Sequence, residues 1–338
     1  MVKNRTFNNT PLLHTSTRYT MQQIIEPVSI ELLEAELNQQ RFLRRTNKAG
    51  NELYIIDAHN SPNVMREIGR LREITFRTEG GGTGLAADID EFDTMVPPYQ
   101  QLVLWDPDAH QIIGGYRFIF GPYIKFDVEG QPQLSTSHLF HFSTEFIKDY
   151  LPNTIELGRS FIRPEYQSRA AGAKALYALD NLWDGLGALV VACKEIKYFF
   201  GKFTMYPTFD TECRDKILYF LDRHFADNKH LVTAKHPLQY KHYETLFPHE
   251  EMKDNYRILN AEVRKFGLNI PPLVNAYMNL SETMKVFGTS INDEFGDVEE
   301  TGILITIKDI YDEKRLRHVD TFTEHLDEYY EITKFRYL

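Results

Sequence analysis

Two hydrophobic periodicities alternate along this chain. Short runs rich in β-branched and aromatic residues, bounded by turn residues, predict β-strands. Longer segments carry an apolar residue at every third or fourth position, which predicts amphipathic helices. The predicted strands cover residues 53–57, 101–105, 112–120, 154–162, 199–206 and 302–307, and the predicted helices cover residues 30–43, 62–76, 170–183, 211–225 and 271–288.

Local signals set several of these boundaries. Ser29 has the residue type of an N-cap for the first helix. The polar segment 106–111 (DPDAHQ) predicts a turn that joins two strands into a hairpin. We expect Gly185 and Gly187 to end the alanine-rich helix, and Gly288 to end the helix that opens at the proline pair 271–272.

The order of these elements is typical of an α+β fold with a mainly antiparallel sheet. We expect an N-terminal arm and helix over residues 1–50, one main domain over residues 51–310 and an acidic C-terminal tail over residues 311–338. Residues 1–50 carry 7 Lys and Arg against 4 Asp and Glu, whereas residues 289–338 carry 6 against 13. A basic leading segment suits contact with anionic lipid, and a solvated extension is the alternative.

Composition narrows the functional classes. The 338 residues hold 38 Lys and Arg against 48 Asp and Glu, a net charge of -10 that argues against a general nucleic-acid binder. The apolar run 187–193 is too short to span a bilayer, and the N-terminus lacks a secretory signal. Cys193 and Cys213 form neither a disulfide framework nor a CxxC pair, so we expect a cytoplasmic protein.

Four segments, met in order along the chain, carry a family resemblance. They are residues 70–77 (RLREITFR), 88–93 (DIDEFD), 114–118 (GGYRF) and 156–164 (ELGRSFIRP). Together they resemble the acyl-carrier-protein-dependent branch of the GNAT acyltransferases, which makes the N-acylated precursors of ornithine and glycine lipids. The resemblance covers roughly residues 53–310. It implies a GNAT fold, a mixed and mostly antiparallel sheet flanked by helices.

Acyl-homoserine lactone synthases resemble the same segments more distantly. Their pattern of Arg-x-x-x-Phe, paired acids, a hairpin arginine and Glu-x-x-Arg recurs in this chain. The resemblance implies a catalytic pair and a group of substrate-binding residues. The catalytic pair is Glu156 and Arg159, and the substrate-binding residues are Arg72, Phe76, Asp90, Asp93 and Arg117.

Two interpretations of these residues stay open. Glu156 lies between apolar neighbours, where burial would raise its pKa and suit a base for the acceptor amine; a structural charge partner is the alternative. The three arginines of the pattern have planar donors suited to the carboxylate of an amino acid. Equally, they could pair with Asp90 and Asp93 and fix the loop after the first long helix.

The segment after the Glu-x-x-Arg strand suggests the acyl donor. Arg163, Arg169 and Lys174 flank the predicted start of a helix, where anionic phosphate is favoured, and Gly172 lies among them. The usual pyrophosphate loop ends in a small residue, but Lys174 occupies that position. This departure favours acyl carrier protein over coenzyme A as donor, although acyl-CoA stays an alternative. A solvated helix face would also explain these charges.

The resemblance therefore implies an N-acyltransferase that moves a 3-hydroxylated fatty acyl group from acyl carrier protein to a small amino acid. The resemblance implies glycine as first acceptor and ornithine as second, a lyso-amino lipid as product, and peripheral contact with the membrane. No permanently bound cofactor is expected, and the net charge argues against nucleic acid. A metal site is not expected either, since the histidines lack the spacing of metal ligands. The alternatives are an S-adenosylmethionine-using acyl-homoserine lactone synthase and a non-catalytic module that binds lipid or carrier protein.

Overall fold

An eight-stranded sheet lies at the centre of this protein. The computed structural model describes residues 21–167 and 172–323. The strands are β1 (Phe42–Arg45), β2 (Glu52–Ile56), β3 (Gln100–Asp106), β4 (Gln111–Phe120), β5 (Phe140–Phe142), β6 (Thr154–Ile162), β7 (Tyr198–Met205), β8 (Val232–Ala234), β9 (Lys285–Asn292) and β10 (Val298–Thr306). The order across the sheet is β1-β2-β3-β4-β6-β7-β10-β9, while β5 and β8 form a separate ribbon. Neighbouring strands in the described residues are antiparallel, apart from β6 and β7.

Helices cover both faces of the sheet. They are α1 (Ile30–Glu36), α2 (Pro62–Thr78), α3 (Glu91–Thr94), α4 (Gly172–Ala192), α5 (Thr211–Phe225), α6 (Met252–Arg264), α7 (Pro272–Met278), α8 (Asp312–Arg315) and α9 (Thr321–Thr323). Helices α4 to α7 bury their apolar sides in one core cluster. On the other face, α1 and α2 cover one half of the sheet, and the β5–β8 ribbon covers the other half.

The expected fold class, α+β with a mostly antiparallel sheet, is confirmed. Strand β6 and helix α5 lie where the sequence predicts them, and β3 and β4 form the expected hairpin. Local chemistry explains this agreement. The Asp210 carboxylate caps α5 by accepting the backbone N–H of Cys213 at 2.9 Å.

The first predicted helix is too long. Helix α1 ends at Glu36, and β1 follows over Phe42–Arg45, although the sequence pattern extends the helix to residue 43. The Asn38 side chain accepts the backbone N–H of Gln40 at 3.0 Å, so it stabilises a turn instead of another helical turn.

The prediction that Gly185 and Gly187 end a helix is wrong. Helix α4 continues through both glycines to Ala192. A Cβ atom at Gly185 would lie 2.6 Å from the Leu102 side chain, and one at Gly187 would lie 2.1 Å from the His318 carbonyl oxygen. The two glycines thus allow close packing of α4 against its neighbours.

The predicted helix over residues 271–288 is also corrected. Helix α7 ends at Met278, and β9 begins at Lys285 and pairs with β10. The register of that pair shifts where Gly288 lies, and Gly288 has φ +86°. Gly288 is therefore a bulge glycine and not a helix cap.

Both ends of the described chain contact the main body. Gln22 donates its backbone N–H to the Gly84 carbonyl at 2.8 Å. Near the other end, in the segment expected as an acidic tail, His318 lies 2.8 Å from the Asp184 carboxylate on α4. The rest of that tail, residues 324–338, lies outside the described residues, as do residues 1–20. No helix among the described residues is long and apolar enough to cross a membrane.

Candidate functional site

The parallel pair β6–β7 opens into a cavity. The two strands pair from Thr154–Tyr198 to Leu157–Gly201, and beyond this point they part. A cavity of about 750 Å³ occupies the gap. Residues of both strands line it, together with the end of α2, the first turns of α4 and the segment before α7. Its volume and mixed lining are those of a site for a small molecule.

A β-bulge in β6 shapes the wall of this cavity. Gly158 pairs with Arg117 and Phe161 pairs with Gly115, so two residues of β6 stand opposite one residue of β4. Arg159 lies in the bulge with φ +47°, a conformation that costs a non-glycine residue about 1–3 kcal/mol. Ion pairing of Arg159 with Asp88 at 2.8 Å offsets this cost.

The predicted arginines and acids form one charged layer between α2 and the sheet. Arg72 contacts Asp93 at 3.3 Å, and Arg117 contacts Asp90 at 2.7 Å and Asp93 at 3.3 Å. Burial acts to raise the pKa of Asp90, but the charges of Arg117 and Arg159 outweigh it and hold that pKa below its ordinary value. These contacts favour the interpretation of Arg72 and Arg117 as members of a structural network. A role for either in holding substrate stays a prediction.

Glu156 is buried completely in the same layer. Its carboxylate accepts hydrogen bonds from the hydroxyls of Tyr99, Thr136 (2.8 Å) and Ser135 (3.3 Å). Burial raises the pKa of Glu156, and the hydroxyl donors and Arg117 oppose this rise. A carboxylate with a raised pKa is a stronger base than an exposed one, which suits it to accept a proton.

The Ser135 hydroxyl lies between Glu156 and Gly158. Glu156 does not itself line the cavity, but Gly158, two residues further along β6, does. A Cβ atom at Gly158 would lie 3.7 Å from the Ser135 hydroxyl oxygen. A group placed over Gly158 therefore reaches Glu156 through one hydroxyl.

A second ionic pair, which sequence analysis missed, lines the cavity from β7 and β10. The Lys202 ammonium contacts the carboxylate of Glu300, and Glu300 also accepts from Thr204 at 3.4 Å. Burial, together with the positive charges of Arg159 and Arg117, lowers the pKa of Lys202 well below its ordinary value. In the sequence, the signal for this pair is Lys202 itself. A charged residue inside the apolar strand YFFGKFTM has no obvious structural reason to be there.

Comparison with known proteins identifies the family. Residues 71–176 match the acetyltransferase (GNAT) domain family. A glycine N(alpha)-acyltransferase of Bacteroides thetaiotaomicron is 61% identical over 308 residues, which cover 90% of this chain and 91% of that protein. Another, of Phocaeicola vulgatus, is 57% identical over 317 residues, covering 93% and 97%. This chain belongs to the glycine N(alpha)-acyltransferase family.

Membership of the glycine N(alpha)-acyltransferase family confirms the expected GNAT-type N-acyltransferase. The protein is thus an enzyme, and the alternative of a non-catalytic module is not supported. Among solved structures, FeeM, an N-acyl amino acid synthase from uncultured soil microbes, has a TM-score of 0.32 and 15% identity, covering 50% of this chain and 79% of FeeM. That likeness is too distant to bear on the site.

Two of the four predicted donor-binding residues of this family member have partners of their own. Arg163 contacts Glu165 at 3.0 Å and donates to the Gln111 amide oxygen at 2.8 Å. Lys174 pairs with Asp106 and with Asp108. Gly172 begins α4 with φ +78°, and Arg169 lies outside the described residues. A donor-binding role for these four residues stays a prediction.

Phe76 is the predicted substrate-binding residue that lines the cavity. It lies at the end of α2, where its ring makes an edge contact with Phe295 at 5.2 Å. Arg159 also lies on the ring of Phe295, with 4.4 Å between the guanidinium carbon and the ring centre. Phe295, in the short loop between β9 and β10, thus joins two predicted residues.

Proposed function

We propose that this enzyme transfers a 3-hydroxylated fatty acyl group from acyl carrier protein to the amine of glycine. The product is N-acylglycine, a lyso-amino lipid. The identity to two proteins named glycine N(alpha)-acyltransferase supports glycine as the acceptor. The observation that carries the mechanism is the open space over Gly158, which Ser135 connects to the buried carboxylate of Glu156.

The reaction is an attack of an amine on a thioester. Glycine loses a proton from its ammonium group, and its nitrogen then forms a bond to the thioester carbonyl carbon. The carbon–sulfur bond breaks, and the phosphopantetheine thiolate leaves and takes up the second proton that the nitrogen loses as the amide forms. Glu156, reached through the Ser135 hydroxyl, accepts the proton of the amine.

The parted strands supply donors for the thioester oxygen. Beyond Leu157, the edge of β6 that faces β7 no longer pairs with it. Backbone N–H groups on that edge are fixed by the pairing of β6 with β4 on the other side. They are the groups that we propose to stabilise the negative charge on the carbonyl oxygen during attack.

Acyl carrier protein is the proposed donor because of a residue in the first turn of α4. Lys174 stands where a pyrophosphate loop needs a small residue, and its ammonium is paired with Asp106 and Asp108. A phosphopantetheine arm carries no adenosine diphosphate to bind there. The proposed location is the cytoplasm, with peripheral membrane contact.

The proposed function is tested by a product assay with mass spectrometry. Full-length protein is given 3-hydroxyacyl carrier protein, with 3-hydroxyacyl-CoA in parallel, and one acceptor at a time: glycine, ornithine, lysine, serine or S-adenosylmethionine. We expect N-acylglycine as the main product with the carrier-protein donor. Product from ornithine or S-adenosylmethionine alone would overturn glycine as acceptor, and equal rates with acyl-CoA would overturn the donor.

Gly158→Ala tests the acceptor space directly. The added Cβ has ordinary van der Waals contact with Ser135, so we expect the folded state to keep its stability. The methyl group would displace the amine from its position over Gly158, and a displacement of about 1 Å costs on the order of 10²-fold in rate. The measurement is kcat/KM for glycine, alongside the thermal midpoint and KM for the acyl donor. Unchanged glycine kinetics in a stable variant would place the acceptor elsewhere.

A further inference from the structure

The carboxylate of the acceptor needs a positive partner inside the cavity. Glycine keeps its carboxylate charge during the reaction and in the product, and a buried charge is costly unless it is paired. Among the described residues, the positively charged side chains that line the cavity are Arg159 and Lys202. Arg72 and Arg117, which sequence analysis offered for this role, do not line it.

The two cations differ in how fully they are engaged. The Arg159 guanidinium contacts Asp88 at 2.8 Å and Asp90 at 3.6 Å. The Lys202 ammonium has one ion-pair partner among the described residues, Glu300. An ammonium group has three N–H donors, so Lys202 has donors left for a ligand.

Lys202 also lies level with Gly158 in the sheet. Leu157 and Gly201 form the last pair between β6 and β7, and the next residues along the two strands are Gly158 and Lys202. Side chains alternate along a strand, so Glu156, Gly158 and Lys202 belong to one face of the sheet. The space over Gly158 is therefore bordered by β7 at Lys202 and by the hydroxyl of Ser135.

We propose that Lys202 binds the α-carboxylate of the acceptor, while Glu300 holds the ammonium group in place. The inference rests on the proposed function and names the group that recognises the acceptor. Glycine then lies with its amine over Gly158, next to Ser135, and its carboxylate at Lys202.

The experiment compares glycine with glycinamide, which has the same amine and no carboxylate. Wild-type protein, the double variant Lys202→Met with Glu300→Gln, and the variant Lys202→Arg are assayed with both acceptors. We expect wild-type protein to favour glycine by about 10²-fold or more in kcat/KM. The double variant should lose most of this preference through a higher KM for glycine, and Lys202→Arg should keep part of it.

The design separates recognition from general damage. Wild type and variants are compared on the same two acceptors. The difference in basicity between the amines of glycine and glycinamide is therefore the same for each protein, and it cancels when the glycine-to-glycinamide ratios are compared. Lys216→Met with Glu262→Gln is the matched control, because this largely buried pair lies at 3.0 Å between α5 and α6. The control should leave the glycine-to-glycinamide ratio unchanged.

The possible results either support or overturn the proposed role of Lys202. A preference for glycine that survives in the folded double variant overturns it, and so does a wild-type enzyme that uses glycinamide as well as glycine. If the double variant does not fold, the amide pair Lys202→Gln with Glu300→Gln and the wild-type comparison decide. Wild-type protein that acylates neither acceptor contradicts the proposed function itself.

Discussion

Replacing Glu156 with glutamine is expected to lower kcat by about 10²-fold or more, with the fold intact. The amide keeps the size of the side chain and can still accept from Thr136 and Ser135, which now contact its carboxylate at 2.8 and 3.3 Å. It cannot take a proton from the acceptor ammonium. KM for the acyl donor should change little, because Glu156 does not line the cavity.

The pH profile of the same variant adds a second readout. Burial raises the pKa of Glu156, so the wild-type rate should fall as the pH drops through that raised value and the carboxylate becomes protonated. The glutamine variant should lack this acid limb. Asp215→Asn is the control, since Asp215 is a buried carboxylate on α5, and its activity should stay near that of wild type. Full activity of Glu156→Gln would identify Glu156 as a structural charge partner.

Local signals explain the elements that the sequence predicts well. The hairpin β3–β4 follows from two strand-like runs and the polar turn between them, and α5 follows from its cap at Asp210. In each case, residues close in sequence stabilise the element. The family resemblance indicates Glu156 and Arg159 as a pair, and the structure places both within one charged layer.

Long-range pairing explains why the sequence misassigns residues 285–288 and misses the Lys202–Glu300 pair. The segment 285–288 fits a helical pattern as well as a strand, and it becomes part of β9 because β10 pairs with it. Lys202 and Glu300 meet because β7 and β10 are neighbours in the sheet. Neither contact has a local signature, so spacing along the chain cannot reveal it.

Within the charged layer, the replacement of Arg117 is expected to have the largest effect on the stability of the protein. Arg117 is buried completely, contacts Asp90 and Asp93, and lies 5.2 Å from the centre of the Tyr99 ring. Arg117→Met removes one charge and leaves buried carboxylates short of a partner. Breaking such a pair typically lowers the free energy of unfolding by about 3–5 kcal/mol. Denaturation by urea, monitored by circular dichroism, measures this loss.

The same substitution at an exposed pair is the control. Arg257 contacts Asp254 at 2.9 Å on the surface of α6, and Arg257→Met should cost less than about 1 kcal/mol.

The pH dependence follows from Asp90, whose pKa is held below its ordinary value of about 3.9 in the folded protein. That shift stabilises wild-type protein above this pH, and the contribution is lost as the pH falls toward the lowered value. The gap between wild type and Arg117→Met should therefore narrow below about pH 4. An equally stable variant that only loses affinity for glycine would instead show that Arg117 holds the acceptor.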